Sequence, residues 1–213
     1  MAGEAADPET AEAPRVETLA KATADDAGTV AGRCELSSGA LGLLGDGATA
    51  PGPFLDTLIR QDCPGDALTF LAHALPPREG TWWACQAART LPLGDDAALP
   101  RRTVRAAEAW VFHPDDGRRR DAMALAEELG FDSPASWAAV AAFWSGDSLA
   151  PQDQPKVPPK AYLWCHAVNG AVQLAAADGP ADRITARRHG ILRLGIDIAN
   201  GGTGRPRSAS QSG

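Results

Sequence analysis

The sequence predicts an all-α fold: a single-domain bundle of about eight short helices ending in a helical hairpin, flanked by disordered tails. Three observations carry that expectation. Ala and Leu dominate while Val, Ile and Thr are sparse and scattered, so the β-branched content that strands favour is missing. No stretch sustains the apolar/polar alternation of a half-buried strand, whereas apolar residues recur at i, i+3, i+4 and i+7. Pro, Gly and Ser punctuate the chain at intervals that suit short helices. With 213 residues, 44% of them hydrophobic, the chain can bury one good core.

Residues 1–32 read as a disordered acidic N-terminal tail. The first 30 hold seven acids (Glu4, Asp7, Glu9, Glu12, Glu17, Asp25, Asp26) against Arg15 and Lys21, with almost no aromatic or large aliphatic side chain to offset the entropy of ordering. The all-helical domain is expected over 33–201, and residues 202–213, "GTGRPRSASQSG", read as a second disordered tail. Within the domain "SSGALGLLG" is a short helix weakened by Gly39 and Gly42, and "GPFLDTLIRQ" aligns Leu55, Leu58 and Ile59. "PGDALTFLAHALPP" places Leu68, Leu71, Ala72 and Leu75 on one face, with Pro64 in its first turn and Pro76 ending it. "TWWACQAARTL" follows, then "RRTVRAAEAWVFHP", stopped by Pro114. "DDGRRRDAMALAEELG" stops at Gly130, and in "SPASWAAVAAFWSG" Ser133 is the N-cap, with Trp137, Val140, Ala141 and Trp144 as the apolar stripe.

Four prolines in residues 151 to 160 make the stretch 150–160 an extended connector. Beyond it, "AYLWCHAVNGAVQLAAA" and "PADRITARRHGILRLGIDIAN" should form an antiparallel hairpin over 161–200, turning at Asp178, Gly179 and Pro180. Its apolar stripe is too large to leave wet, so the hairpin should pack on the bundle, in cis or swapped. Trp83, Trp110, Trp137 and Trp164 are each 27 residues apart, but different numbers of helix boundaries separate them. A solenoid requires equivalent units, so the series reads as coincidence.

The charge of −7 says little about partners, because the first 30 residues contribute −5 of it. The arginines Arg101, Arg102 and Arg105, then Arg118, Arg119 and Arg120, then Arg183, Arg187, Arg188 and Arg193 alternate with acids, as on a solvated helical surface; Arg193 and Asp197 form an i, i+4 pair. Nucleic acid is therefore not the expected partner. The N-terminus lacks the basic and apolar regions of a secretory signal, no run is long enough to span a membrane, and four scattered cysteines suit a reducing cytoplasm.

No catalytic, cofactor-binding or metal-ligating residue is assigned, and no cofactor is expected. Cys165 falls on the apolar stripe of its helix and His166 on the polar one, so their adjacency does not make a nucleophile pair. His73, His113 and His189 are isolated, with His113 suited to a helix C-terminus. Asp115 and Asp116 suit a helix N-terminus, and Asp95–Asp96 and Glu127–Glu128 a loop and a helix surface. "GLLGDGATAPG" has neither the lysine nor the preceding strand of a phosphate cradle.

Six tryptophans against one tyrosine is the anomaly that remains. In "TWWACQAARTL" the apolar stripe is Ala84, Ala87, Ala88 and Leu91; Trp83 lies about 90° from its centre and should be buried, and Trp82 about 170° away. Trp82 then shares a face with Glu79, Gln86 and Arg89. Either a second helix covers that face, or Trp82, Gln86 and Arg89 meet a protein partner.

Taken in order, "FLDTLI", "ALTFLAHALPPRE", "WWACQAAR", "AAEAWV", "MALAEELGFDSPASWAAVAAFWSGDSLAP" and "GIDIANGG" resemble an uncharacterised family of bacterial proteins, a domain of unknown function, over about residues 33 to 201. The resemblance implies an all-helical cytoplasmic domain with no assigned activity and no catalytic residues to carry over, encoded near genes of type VI secretion or related contractile systems. The function expected is that of a non-enzymatic interaction protein, an adaptor or chaperone-like component of a secretion-type assembly, with its partner and oligomeric state left open. The alternative is an enzyme using Cys85, Cys165 or a histidine that meets an acid only in three dimensions.

Overall fold

The computed structural model describes residues 13–92 and 97–205, and among these it contains ten α-helices, one 3-10 turn and no strand. In chain order the helices are α1 (Ala27–Ala31), α2 (Ser38–Leu44), α3 (Pro51–Arg60), α4 (Pro64–Ala74), α5 (Pro77–Arg89), α6 (Ala98–Phe112), α7 (Asp116–Leu129), α8 (Pro134–Trp144), α9 (Leu163–Ala177) and α10 (Ile184–Ala199). Their starts follow the sequence signals. Pro sits in the first turn of α3, α4, α5 and α8, where a missing N–H costs nothing. Asp115 caps α7 by accepting from the Arg118 amide, and Ser133 and Ser136 form a reciprocal capping box at α8.

The centre of the bundle is α8, which packs against α5, α6, α7 and α9. Its sequence is apolar on every side, and Ala138, Ala139, Val140, Ala141 and Ala142 are all buried. The expected stripe is therefore only part of the buried surface. Trp137 and Trp144 lie half-buried at the rim, with ring centroids 6.1 Å apart. The C-terminal hairpin packs back in cis, α9 against α8, α5 and α4, and α10 against α5 and α4.

Trp83 is fully buried, as its helical position requires, and its indole Nε1 donates to the Ile191 carbonyl of α10 at 2.8 Å. Gly195 lets α10 cross this ring: a Cβ there would lie 2.6 Å from Trp83 Cε2 and 2.7 Å from Leu71 Cδ2. The four evenly spaced tryptophans fall at unequal points of α5, α6, α8 and α9, with α7 intervening once. They do not mark a repeat.

The expected N-terminal tail over 1–32 needs correction for its second part, while residues 1–12 lie outside the described residues. Residues 13–32 pack on the bundle, with Val16, Leu19, Ala27 and Val30 buried and α1 capped by Asp26. The segment is held by polar bonds to elements far along the chain. The Val16 amide donates to Asp56, the Ala20 amide and Thr18 hydroxyl to the Asn200 side chain, the Lys21 amide to the Ala199 carbonyl and the Thr23 amide to Ala74. Backbone partners and a few small apolar groups thus do what composition alone did not promise.

The second expected tail is likewise shorter, since residues 202–205 lie on the end of α10; 206–213 lie outside the described residues, as does the Asp95–Asp96 pair. The Gly202 amide donates to the Asp197 carbonyl and the Gly204 amide to its carboxylate, both at 2.8 Å. Gly204 takes a positive φ of 64°, and a Cβ there would lie 2.5 Å from Ile198 Cδ1, so this strap follows a path only glycine accommodates. The connector 150–160 is largely exposed but tied down: the Leu149 amide donates to the Val157 carbonyl and Gln152 to Asp116. Among the described residues no helix is long and apolar enough to cross a membrane.

Candidate functional site

The start of α5, the end of α6, the N-terminal segment and the glycine strap converge on one cavity of ≈ 520 Å³. Each wall has a local cause. Pro76 and Pro77 start α5 so that Arg78, Glu79 and Trp82 follow on its first turns. Pro114 ends α6, leaving Val111 and Phe112 as its last apolar residues. Hydrogen bonding at Ala199 and Asn200 brings Lys21 alongside, and the Asp197-anchored strap supplies Thr203 and Arg205.

Trp82 forms the floor. Its ring meets Phe112 edge to face at 5.4 Å, its Nε1 donates to the Thr203 carbonyl at 2.8 Å, and the Arg205 guanidinium lies 5.7 Å from the ring. Phe112 is 59% exposed, the most open large apolar side chain among the described residues. Arg78 donates through Nε to the Val111 carbonyl at 3.0 Å, capping the end of α6, and Lys21 pairs with Glu79 at 3.1 Å. Lys21, Arg78 and Arg205 against Glu79 give the lining a charge of +2 in a chain of −7.

Of the three residues expected to meet a partner, the structure brings only Trp82 to this cavity. Trp82 is half-buried, covered by the chain's own strap and by Phe112. Gln86 is 6% exposed, because α5 is covered on two faces by the bundle and its middle turns are closed to a partner. Arg89 is exposed but holds Glu108 of α6 through two bonds of 2.6 Å, which raises its pKa and commits its donors. Helix geometry on α5 alone missed Lys21, Arg78, Phe112 and Arg205. Phe112 was findable as a large apolar residue beside a His-Pro helix stop; Lys21 and Arg205 arrive through long-range contacts in segments read as tails.

The thiols and histidines are placed elsewhere. Cys85 and Cys165 are both fully buried, and burial pushes the Cys165 thiol up to about 12 and that of Cys85 higher still. Burial likewise raises Cys34 to about 11. Such thiols pack as small apolar groups and are poor nucleophiles. His166 is exposed, and its ring stands edge to face with that of buried His73, centroids 5.2 Å apart. Burial lowers the His73 pKa, and its Nδ1 bonds the Thr69 carbonyl at 2.9 Å. His113 sits at the C-cap of α6. Among the described residues no group of three His, Cys, Asp or Glu could hold a metal ion.

The arginines of α7 are engaged with acids rather than gathered into a positive face. Arg118 pairs with Asp115, and Arg120 with Asp116 at 2.8 Å. Arg119 departs from the solvated surface expected of it. It is buried between Asp116 and Asp147, donates to the Phe143 carbonyl at the end of α8 and lies over the Phe143 ring. The surrounding arginines hold the Asp116 carboxyl well below the usual carboxylate range.

Among known proteins, the model of a family of unknown function, DUF6931, matches residues 54–199, from α3 to the last residue of α10. The match includes Arg78, Trp82 and Phe112, whereas Lys21 and the strap lie outside it. No curated protein and no solved structure matches the chain.

Proposed function

We propose, for a chain that belongs to the DUF6931 family, a non-enzymatic role: an interaction protein that docks a segment of a protein partner in the Trp82 groove. The observation that carries this reading is the exposed Phe112 ring set edge to face against half-buried Trp82 inside a preformed cavity. Large apolar groups left open to water beside polar rims are where partners bind, and aromatic residues contribute most of the binding energy there. The high thiol pKa values and the burial of Cys85, Cys165 and His73 support docking over the alternative of catalysis by these groups.

An adaptor or chaperone-like component of a secretion-type assembly in the bacterial cytoplasm is the form of this role we favour. Its placement in such an assembly rests on the resemblance of the motifs alone. The four free cysteines suit a reducing compartment. The test is co-purification from the native host, comparing the wild type with Trp82→Ala, with folding checked by circular dichroism. A folded variant that loses a partner supports the reading, and a folded variant that keeps every partner contradicts it.

A further inference from the structure

Resting on that reading, we infer that the Trp82 groove selects an acidic segment of its protein partner. The segment sets an aromatic or large aliphatic side chain against Trp82 and Phe112 and turns carboxylates towards Arg78 and Arg205. The charge of the groove is the first argument. Lys21, Arg78 and Arg205 outnumber Glu79, so the lining carries +2, whereas residues 31–213 taken together sum to only −2; the groove is a local positive patch on a nearly neutral body.

The second argument is their availability. Arg60, Arg89, Arg118, Arg119 and Arg120 each hold an acid of the chain itself. Arg78 and Arg205 have no carboxylate partner among the described residues. Arg78 donates through Nε to the Val111 carbonyl, which fixes it in place and leaves its terminal nitrogens without a partner among the described residues. This bond also offsets the negative end of α6, while the positive end of α5 opens on the same groove. A guanidinium with donors to spare in a fixed position is suited to a carboxylate.

The third argument is the floor. Trp82 and Phe112 offer apolar surface over buried Val111 and Ile198, and ≈ 520 Å³ falls in the range of sites that hold a small ligand or a few side chains. Affinity then comes from the apolar contact, and the choice of partner from the charges.

The experiment is a random heptapeptide library displayed on phage, selected on the full-length chain and counter-selected on Trp82→Ala. The peptides that depend on Trp82 are expected to be net negative and to carry an aromatic or large aliphatic residue. Binding of a synthetic consensus peptide should weaken about tenfold in Arg78→Glu and in Arg205→Glu, fall with added salt, and stay unchanged in Arg60→Glu, which does not line the groove. Arg205 lies outside any helix, so its variant remains informative if Arg78→Glu unfolds. Trp82-dependent peptides that are neutral or basic would overturn this inference and leave the docking reading standing. An absence of Trp82-dependent peptides would overturn both. A synthetic peptide of residues 1–12 that competes as well as the consensus would make the chain's own acidic segment the occupant and overturn the assignment to a partner.

Discussion

Gly195→Ala should destabilise the protein although it replaces a glycine inside a helix, where alanine alone would stabilise by about 1 kcal/mol. The added Cβ would lie 2.6 Å from Trp83 Cε2, 2.7 Å from Leu71 Cδ2 and 2.9 Å from Trp83 Nε1. Comfortable carbon contacts need roughly 3.5 Å or more, so about 1 Å must be cleared by groups that are themselves fully buried. Overpacking of this kind costs about 1–3 kcal/mol. Moving the indole also strains its bond to Ile191 on the same helix, at about 1 kcal/mol. Set against the propensity gain, the net loss is about 1–3 kcal/mol. Gly190 is the control: it lies in α10, and a Cβ added there would meet nothing within 4 Å, so Gly190→Ala should leave stability unchanged or raise it by up to about 1 kcal/mol. Urea denaturation followed by circular dichroism reads both. If Gly195→Ala proves as stable as Gly190→Ala, the close crossing of α10 over Trp83 is wrong.

The thiols and the buried histidine give further checks. Cys85 and Cys165 should resist a thiol reagent in the native protein at pH 8 and react on unfolding; rapid labelling of either would contradict their burial. Cys34 and Cys165, raised to about 11 and about 12, ionise more readily in the unfolded chain, so stability should fall as pH rises above about 9. Replacing both by Ala should make that alkaline limb shallower, with the share of buried Cys85 remaining, and an unchanged limb would assign it to other groups. His73 is lowered by burial and also faces Arg33 and His166, so its contribution is present above its ordinary pKa and lost as pH falls through the folded value. His73→Gln should therefore lose less stability between pH 7 and pH 5 than the wild type, and equal losses would refute the assignment.

The helices were legible because their signals are local. Ser133, Asp115 and the prolines at helix starts act within one turn, and the position of Trp83 beside the alanine stripe sufficed to bury it. What escaped is non-local. Residues 13–32 look like a tail by composition, yet Thr18 and Ala20 are fixed by Asn200, some 180 positions on. Residues 202–204 read as the start of a disordered tail, whereas the missing Cβ of Gly204 is what lets the strap lie against Ile198 while Thr203 reaches Trp82. Gln86 shares a helix face with Trp82 but is buried, because the packing on α5 changes between its first turns and its middle. The groove was thus half visible: its floor residue was picked out on α5, and its basic rim comes from segments that only the fold brings together.

The most direct test of the docking account is site-specific photo-cross-linking in cells of the native host. A photoreactive phenylalanine analogue at position 112 replaces an exposed ring set edge to face against Trp82, and the same analogue at position 131 serves as control on another exposed aromatic. A discrete adduct to one partner protein from position 112, absent from 131 and lost with Trp82→Ala, is the predicted result. Adducts equal from both positions, or none from 112, would contradict a partner site in the groove.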